Sequence, residues 1–257
     1  MGLEDFTMAE TSNIPEPGRR PLQKMFTDVP TGYDLMNRIL TLRLDEKWRK
    51  KAARECARSP AGTILDLCTG TGDLALHIAK RLNGQASISG LDYSRPMLEI
   101  ARRKASRSGY DRISFMEGDA AAIPFGDGEL DTIGIAFAFR NLTYKNPDRD
   151  KFLSEIFRTL SPDGKFVIVE TSQPGNRILK RFFHAYLKLA VARLGGWMSG
   201  HSGAYRYLSA SAINFYHPDE LAQMLGEAGF TGITHRALLG GVAAITVARK
   251  QGLADVQ

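Results

Sequence analysis

The sequence predicts an α/β fold built on a doubly wound, seven-stranded, mostly parallel sheet, and three features carry that expectation. An apolar run, Thr63-Ile-Leu-Asp-Leu67, breaks into Cys68-Thr-Gly-Thr-Gly72 and releases through Asp73 into a helix-patterned segment, Leu74 to Leu82. That is the pattern of a buried strand, a tight turn and a helix start. Strand and helix patterns then alternate regularly, as they do around a parallel sheet. Near the end, Leu239-Gly-Gly241 joins two strands as a hairpin, so the last strand runs antiparallel to its neighbours.

In chain order, residues 1–24 read as a flexible arm with no apolar core of a signal peptide, and Ile14-Pro-Glu-Pro-Gly-Arg-Arg-Pro21 resists regular structure. Residues 25–250 form a single domain and 251–257 a tail. Tyr33 to Arg58 is helix-patterned and forms a cap, apolar at Leu35, Met36, Ile39, Leu42 and Leu44. It carries a basic stretch of Arg43, Lys47, Arg49, Lys50, Lys51, Arg54 and Arg58, either a solvated face or a contact for a polyanion or lipid headgroup. After the glycine turn come a strand Ala86 to Asp92, a helix Arg95 to Ser108 and a strand Ile113 to Glu117. Ser94 is placed to cap that helix, and Pro96 sits in its first turn, where a missing N–H costs nothing. Leu130 to Phe137 is the fourth strand, Arg149 to Leu160 a helix, and Lys165 to Thr171 the fifth strand after the turn Ser161-Pro-Asp-Gly164. A long insertion, 176–207, interrupts the alternation before a helix Pro218 to Ala228 and the closing strands Gly232 to Leu238 and Val242 to Arg249.

With 257 residues and 43% hydrophobic content the chain buries one sizeable core. Two cysteines, Cys56 and Cys68, make neither a disulfide framework nor a metal site, so a reducing cytosol is expected. No apolar run reaches the roughly 18 residues of a spanning helix. The formal charge of +6 admits nucleic acid or an anionic membrane as partner.

Ligands of such sheets bind beyond the carboxyl ends of the strands, and four acids fall there: Asp66, Asp73, Asp92 and Asp119. Asp92 lies about 20 residues beyond Gly72, the spacing at which a carboxylate meets both hydroxyls of an adenosine ribose. Asp119 and Ala120 are placed for the adenine edge. Gly70-x-Gly72-x-x-Ala75 alone also fits a Rossmann-like dinucleotide site. A pyrophosphate, however, needs helix N-terminal amides free of competing anions, and Asp66 and Asp73 crowd that place. S-adenosylmethionine has no phosphate and carries an ammonium and a sulfonium, so the acids suit it. The predicted donor site comprises Asp66, Gly70, Thr71, Gly72, Asp73, Asp92, Tyr93, Asp119, Ala120 and Ala136. Clustered metal ligands are absent from the sequence and no metal is called for.

The turn after the fourth strand reads Phe137-Ala-Phe-Arg-Asn-Leu142, without the Asn/Asp-Pro-Pro-aromatic arrangement that holds exocyclic amines of nucleic acid bases, which argues against a nucleic acid substrate. An RNA-binding module on the same fold is the alternative from another class. In the insertion, Ile178, Leu179, Phe182, Phe183, Tyr186, Leu187, Leu189, Ala190 and Leu194 occupy one half of a helix. Lys180, Arg181, His184 and Lys188 gather on the other, as in an interfacial membrane element or a greasy lid; a helix packed on the sheet is the plainer reading.

With these residues in view, the chain resembles the ubiquinone/menaquinone biosynthesis C-methyltransferase family over about Phe26 to Lys250. The similarity lies in Tyr33-Asp-Leu-Met-Asn37 with Trp48-Arg49, in Arg158-Thr-Leu-Ser-Pro-Asp-Gly164 running into Glu170-Thr-Ser-Gln-Pro174, in Phe139-Arg-Asn141 and in Tyr205-Arg-Tyr-Leu208. Thr41 stands where a serine is usual, Asp45 where a histidine is frequent, and Ser161 and Asp163 depart from the second signature. None is expected to touch the donor site.

The resemblance implies a class I methyltransferase that moves a methyl group from S-adenosylmethionine to a ring carbon of a polyprenylated quinol. Glu170-Thr-Ser-Gln-Pro174 is closer to the menaquinone branch, which makes 2-demethylmenaquinol the first choice. A ubiquinone-type benzoquinol, another lipid or a small molecule are the alternatives. On this reading Arg140 and Asn141 bind and polarise the quinol oxygens, and Tyr205, Tyr33 and His201 are candidates for the proton acceptor or a water relay. A prenyl tail remains in the bilayer, so the protein is expected at the cytoplasmic face of the cell membrane, peripherally and transiently bound. Oligomeric state is left open, a homodimer included.

Overall fold

The computed structural model describes residues 41, 43–58, 62–189 and 209–252. The expected arm, the first turns of the cap helix, the second half of the insertion and most of the tail lie outside the described residues.

Seven strands form one sheet in the order β3-β2-β1-β4-β5-β7-β6: β1 Thr63–Leu67, β2 Ser87–Asp92, β3 Ser114–Glu117, β4 Leu130–Ala136, β5 Leu160–Thr171, β6 Phe230–Leu238 and β7 Ala243–Lys250. All neighbours pair in parallel except β7, antiparallel to both β5 and β6, as the closing hairpin requires. The helices include α1 Leu44–Cys56, α2 Asp73–Leu82, α3 Arg95–Arg107, α4 Phe139–Thr143, α5 Arg149–Thr159, α6 Arg177–Tyr186 and α7 Pro218–Glu227.

The central strands are buried on both faces, so their apolar residues run continuously and divide by the two-residue period of the pleat. Leu65, Phe166 and Ile168 join Phe152 and Ile156 of α5 and Leu221 and Leu225 of α7 in one core. Ile64, Val167 and Val169 join Trp48 and Ala52 of α1, Leu74 and Ile78 of α2, and Leu98 of α3 in the other. Close approach of α1 to the sheet depends on Gly134 of β4, since a Cβ there would come 3.0 Å from Cys56 Sγ. The buried Lys165 side chain donates to the Glu55 carbonyl at 2.8 Å, placing a cation at the carboxyl end of α1.

Three local readings are corrected. β5 starts at Leu160, not Lys165. Its pairing passes from Leu130 with Leu160 directly to Thr132 with Lys165, so residues 161–164 bulge out while the wholly buried Leu160 keeps its place in the core. A short helix, α4, follows β4, because Phe137 turns the chain with φ of 58°. Ser94 does sit at the amino end of α3, but its hydroxyl does not cap it. Instead the Ser94 N–H donates to Asp92 Oδ1 at 2.9 Å, closing an Asx turn.

Candidate functional site

The cleft that these elements build lies at the carboxyl ends of β1, β2 and β4 and encloses about 1230 Å³ of empty space including its mouth. Of the residues expected to hold a donor, Asp66, Gly70, Thr71, Asp73, Asp92, Tyr93, Asp119, Ala120 and Ala136 line it, together with Asn141. The two glycines of the turn differ in role. Gly70, with φ of 54°, has open space where a Cβ would stand, so its backbone faces the cleft. Gly72, with φ of 82°, does not line it: a Cβ there would meet Ala101 at 2.9 Å and Phe115 at 3.2 Å, so the residue exists for packing under the loop.

Asp66, at the end of β1, is almost wholly buried. Its Oδ2 accepts the Thr69 hydroxyl at 2.6 Å and the Ala75 N–H at 2.9 Å, while Oδ1 is buried without a hydrogen-bond partner. The Ala75 bond matters, because that N–H is one of the donors a helix amino terminus offers to a phosphate. Here a carboxylate already occupies it. Burial pushes the Asp66 carboxyl up to about 7, against the opposing hydrogen bonds and the charge of Arg49. Asp92, also buried, accepts the Gly70 N–H at 2.8 Å on one oxygen and the Ser94 N–H on the other, and burial raises its pKa. Asp119 accepts the Ala121 N–H at 2.9 Å.

Charge around the turn is more balanced than the sequence implies. Asp73 does not stand as a bare anion: Lys104 of α3 reaches across to it at 2.7 Å and bonds the Thr71 hydroxyl at the same distance. What opposes a pyrophosphate is chiefly Asp66, by position, with Asp92 and Asp119 adding negative charge around the cleft.

Arg140 is placed elsewhere than expected. Its guanidinium is buried beside β5, 3.2 Å from Glu170 Oε1 and 2.7 Å from the Thr171 hydroxyl, and it does not line the cleft. One helical step rotates a side chain by about 100°, so Asn141 faces the cleft while Arg140 turns back to the sheet. Asn141 Oδ1 is buried without a partner, an acceptor available to a hydroxyl. Tyr33, His201 and Tyr205 lie outside the described residues. Among the described residues no three His, Cys, Asp or Glu side chains gather as metal ligands.

Arg49 and Phe137 are among the cleft residues that the predicted site does not include. Arg49, taken as part of a solvated or headgroup-binding face, lines the cleft, and Phe137 lies beneath it with the Arg49 guanidinium carbon 5.0 Å from its ring centre. Arg49 pairs with the buried Asp45 one turn earlier. The departure at Asp45 therefore pairs with a residue that lines the cleft. The signal was present in the i, i+4 spacing of Asp45 and Arg49.

A model of the ubiE/COQ5 methyltransferase family matches residues 16–250. The chain belongs to that family. It is 42% identical to the demethylmenaquinone methyltransferase of Thermus thermophilus over 87% of this chain and 98% of that protein. It is 37% identical to the ubiquinone/menaquinone biosynthesis C-methyltransferase UbiE of Geotalea uraniireducens, over 89% of this chain and 96% of the relative. Among solved structures, an SAM-dependent methyltransferase from Aquifex aeolicus aligns over 78% of this chain and 88% of that one, with a TM-score of 0.56 at 18% identity, a likeness of fold. The family and the seven-stranded sheet expected from the sequence are thus both found.

Proposed function

We propose that the protein transfers a methyl group from S-adenosylmethionine to a ring carbon of a polyprenylated quinol, converting 2-demethylmenaquinol to menaquinol. One observation carries the choice of substrate: the 42% identity to a demethylmenaquinone methyltransferase across 98% of its length. Relatives named for both ubiquinone and menaquinone synthesis keep the benzoquinol precursor as the second reading.

The cleft fits the donor. The buried, partnerless Asp66 Oδ1 suits an ammonium, Asp92 suits ribose hydroxyls, and the open backbone at Gly70 lets a ligand approach closely. When bound, S-adenosylmethionine supplies an electrophilic methyl on its sulfonium. The new bond forms from a quinol ring carbon to that methyl, the carbon–sulfur bond breaks with its pair retained by sulfur, and the ring carbon gives up a proton. Asn141 is positioned to accept a hydrogen bond from a quinol hydroxyl and orient the ring, where alignment supplies much of the acceleration. Tyr33, His201 and Tyr205 remain proposed proton acceptors, whereas Arg140 in its pair with Glu170 supports the wall behind Asn141.

The substrate's tail directs the protein to the bilayer, since at about 0.8 kcal/mol per buried carbon each five-carbon unit holds the quinol there by roughly 4 kcal/mol. On α6, Phe183 and Leu187 pack inward, yet Ile178 and Phe182 are 67% and 71% exposed, with Tyr186 and Leu189 also in solvent. At 100° per residue Ile178, Phe182 and Tyr186 form one stripe on α6, and Arg181 borders it. An exposed apolar stripe beside cations is the arrangement of an interfacial helix on an anionic membrane. No helix among the described residues is long and apolar enough to cross a membrane.

The test is methyl transfer from labelled donor to short-tailed 2-demethylmenaquinol and to the benzoquinol counterpart. Preferential labelling of the naphthoquinol is expected. Preference for the benzoquinol refutes the substrate choice, and transfer to neither refutes the quinol reading.

A further inference from the structure

We propose that Arg49 binds the carboxylate of the donor's amino-acid end, that Asp45 holds the Arg49 guanidinium in position for it, and that Asp66 Oδ1 receives the ammonium on the same carbon. This rests on the methyl-donor reading of the cleft. The three side chains come from α1 and β1, and together they form a site for a zwitterion: a fixed cation and a fixed anion on one wall.

The geometry separates Arg49 from the basic residues around it in the cap segment. Lys50 and Arg58 have side chains 58% and 66% exposed, whereas the Arg49 side chain is 14% exposed and borders the cleft. Its Nη1 donates to Asp45 Oδ2, and the opposite carboxylate oxygen of Asp45 accepts the Thr41 hydroxyl at 2.7 Å, which fixes the acid. The plane of the guanidinium is backed by Phe137, whose ring also packs on Trp48 at 6.2 Å between centres. Phe137 holds a left-handed backbone, φ of 58°, at the carboxyl end of β4, a conformation that a bulky residue rarely adopts and that persists where its surroundings demand it. The strained turn presents the ring under Arg49.

Five N–H donors sit on a guanidinium, and Asp45 takes one nitrogen; no further hydrogen bond is made by Arg49 among the described residues. A planar fork with unused donors at the edge of an acidic cleft matches a carboxylate. Asp66 faces the same cleft, close enough that the charge of Arg49 opposes the rise in its pKa, and it keeps an unpartnered buried oxygen. The two therefore recognise the group that distinguishes S-adenosylmethionine and S-adenosylhomocysteine from a plain thioether nucleoside.

Calorimetry on the full chain with S-adenosylhomocysteine and with 5′-methylthioadenosine, which lacks the amino-acid carboxylate and ammonium, tests this. Arg49→Gln is expected to weaken S-adenosylhomocysteine binding by roughly 10- to 100-fold, the worth of a forked charge-assisted bond, and to leave 5′-methylthioadenosine within about twofold. Arg49→Lys keeps the charge and loses the fork, so it should fall between. Asp45→Asn, acting through Arg49, should show a smaller loss confined to the same ligand. Equal losses for both ligands in Arg49→Gln and Arg49→Lys would mean that Arg49 only supports Phe137 and the fold, which overturns the proposal; so would an unchanged S-adenosylhomocysteine affinity. A wild-type protein that binds neither ligand overturns the donor reading itself, and the assignment of Arg49 with it.

Discussion

Replacing Asp66 by asparagine removes a buried cleft carboxylate whose ionisation burial shifts to about 7. Burial raises it to about 7, while the Thr69 hydroxyl, the Ala75 N–H and Arg49 hold it down and Asp92 pushes it further up. Cys56 on α1 and Cys68 beside it are thiols that burial keeps protonated, so they do not titrate in this window. A ligand ammonium pairs with the ionised form only. Binding therefore expels the proton, and the affinity for S-adenosylhomocysteine must fall as pH drops through 7. With a pKa of about 7, the ionised fraction goes from about 0.9 at pH 8 to about 0.1 at pH 6, so affinity weakens by about tenfold over that interval.

The assay is calorimetry in buffers of different ionisation enthalpy, which counts protons directly: about 0.9 released per ligand at pH 6 and about 0.1 at pH 8. Folding is linked in the opposite sense. A carboxyl raised from 3.8 to about 7 holds a proton in the folded state that the unfolded chain has lost, so the ligand-free protein loses stability as pH rises from 4 through 7. The Asp66→Asn protein should bind S-adenosylhomocysteine roughly 10- to 100-fold more weakly at pH 8. It should also release fewer protons on binding and lose affinity less steeply as pH falls, what remains belonging to Asp92, which burial also raises. Persistence of the tenfold slope in this variant would assign the titration to another group and refute the reasoning.

Other substitutions follow from the same contacts. Arg140→Ala leaves Glu170 buried without its cation and should destabilise the protein by about 3–5 kcal/mol in chemical denaturation, while an Arg140→Met, Glu170→Gln double variant recovers a large part of it; a stable Arg140→Ala enzyme with lost turnover would instead restore Arg140 to the reaction. Asp92→Ala should lower donor affinity more than tenfold and also the melting temperature, because the carboxylate ties Gly70 to the turn after β2; calorimetry with unchanged affinity would remove it from the site. Reversing Arg181 and Lys188 to glutamate should reduce flotation with anionic vesicles and not with neutral ones, and undiminished flotation would mean that the α6 stripe does not meet the membrane.

How far the sequence could be read depends on whether a feature is set locally or by rotation about an axis. The strand, turn and helix around Gly70 follow from neighbouring residues, and so do the alternation of elements and the closing hairpin. Two-faced burial announces itself in runs such as Phe166-Val-Ile-Val169, which need no partner to be recognised. Facing direction is another matter. Arg49 was one of seven basic residues on a helix-patterned stretch, and nothing in composition says which of them turns inward. Arg140 and Asn141 share a turn and a motif, yet the unforeseen helix α4 sends one to the sheet and the other to the cleft. Asp73 was visible as an acid, but the lysine that answers it lies 31 residues away on another helix. In each case a pairing across elements, invisible in one dimension, decided the role.

Those pairings also explain how an acidic cleft can hold an amino acid with both charges. Lys104 answers the charge of Asp73, while Arg49, held by Asp45, keeps donors for a carboxylate. Asp66 and Asp92 line the cleft and accept the Ala75 and Gly70 N–H groups, and Asp66 keeps one buried oxygen without a partner. Methyl transfer removes the positive charge of the sulfonium and leaves the rest of the ligand unchanged. A carboxylate within Coulomb reach of the sulfonium would favour the donor over its product, whereas contacts to the ammonium and ribose serve both alike.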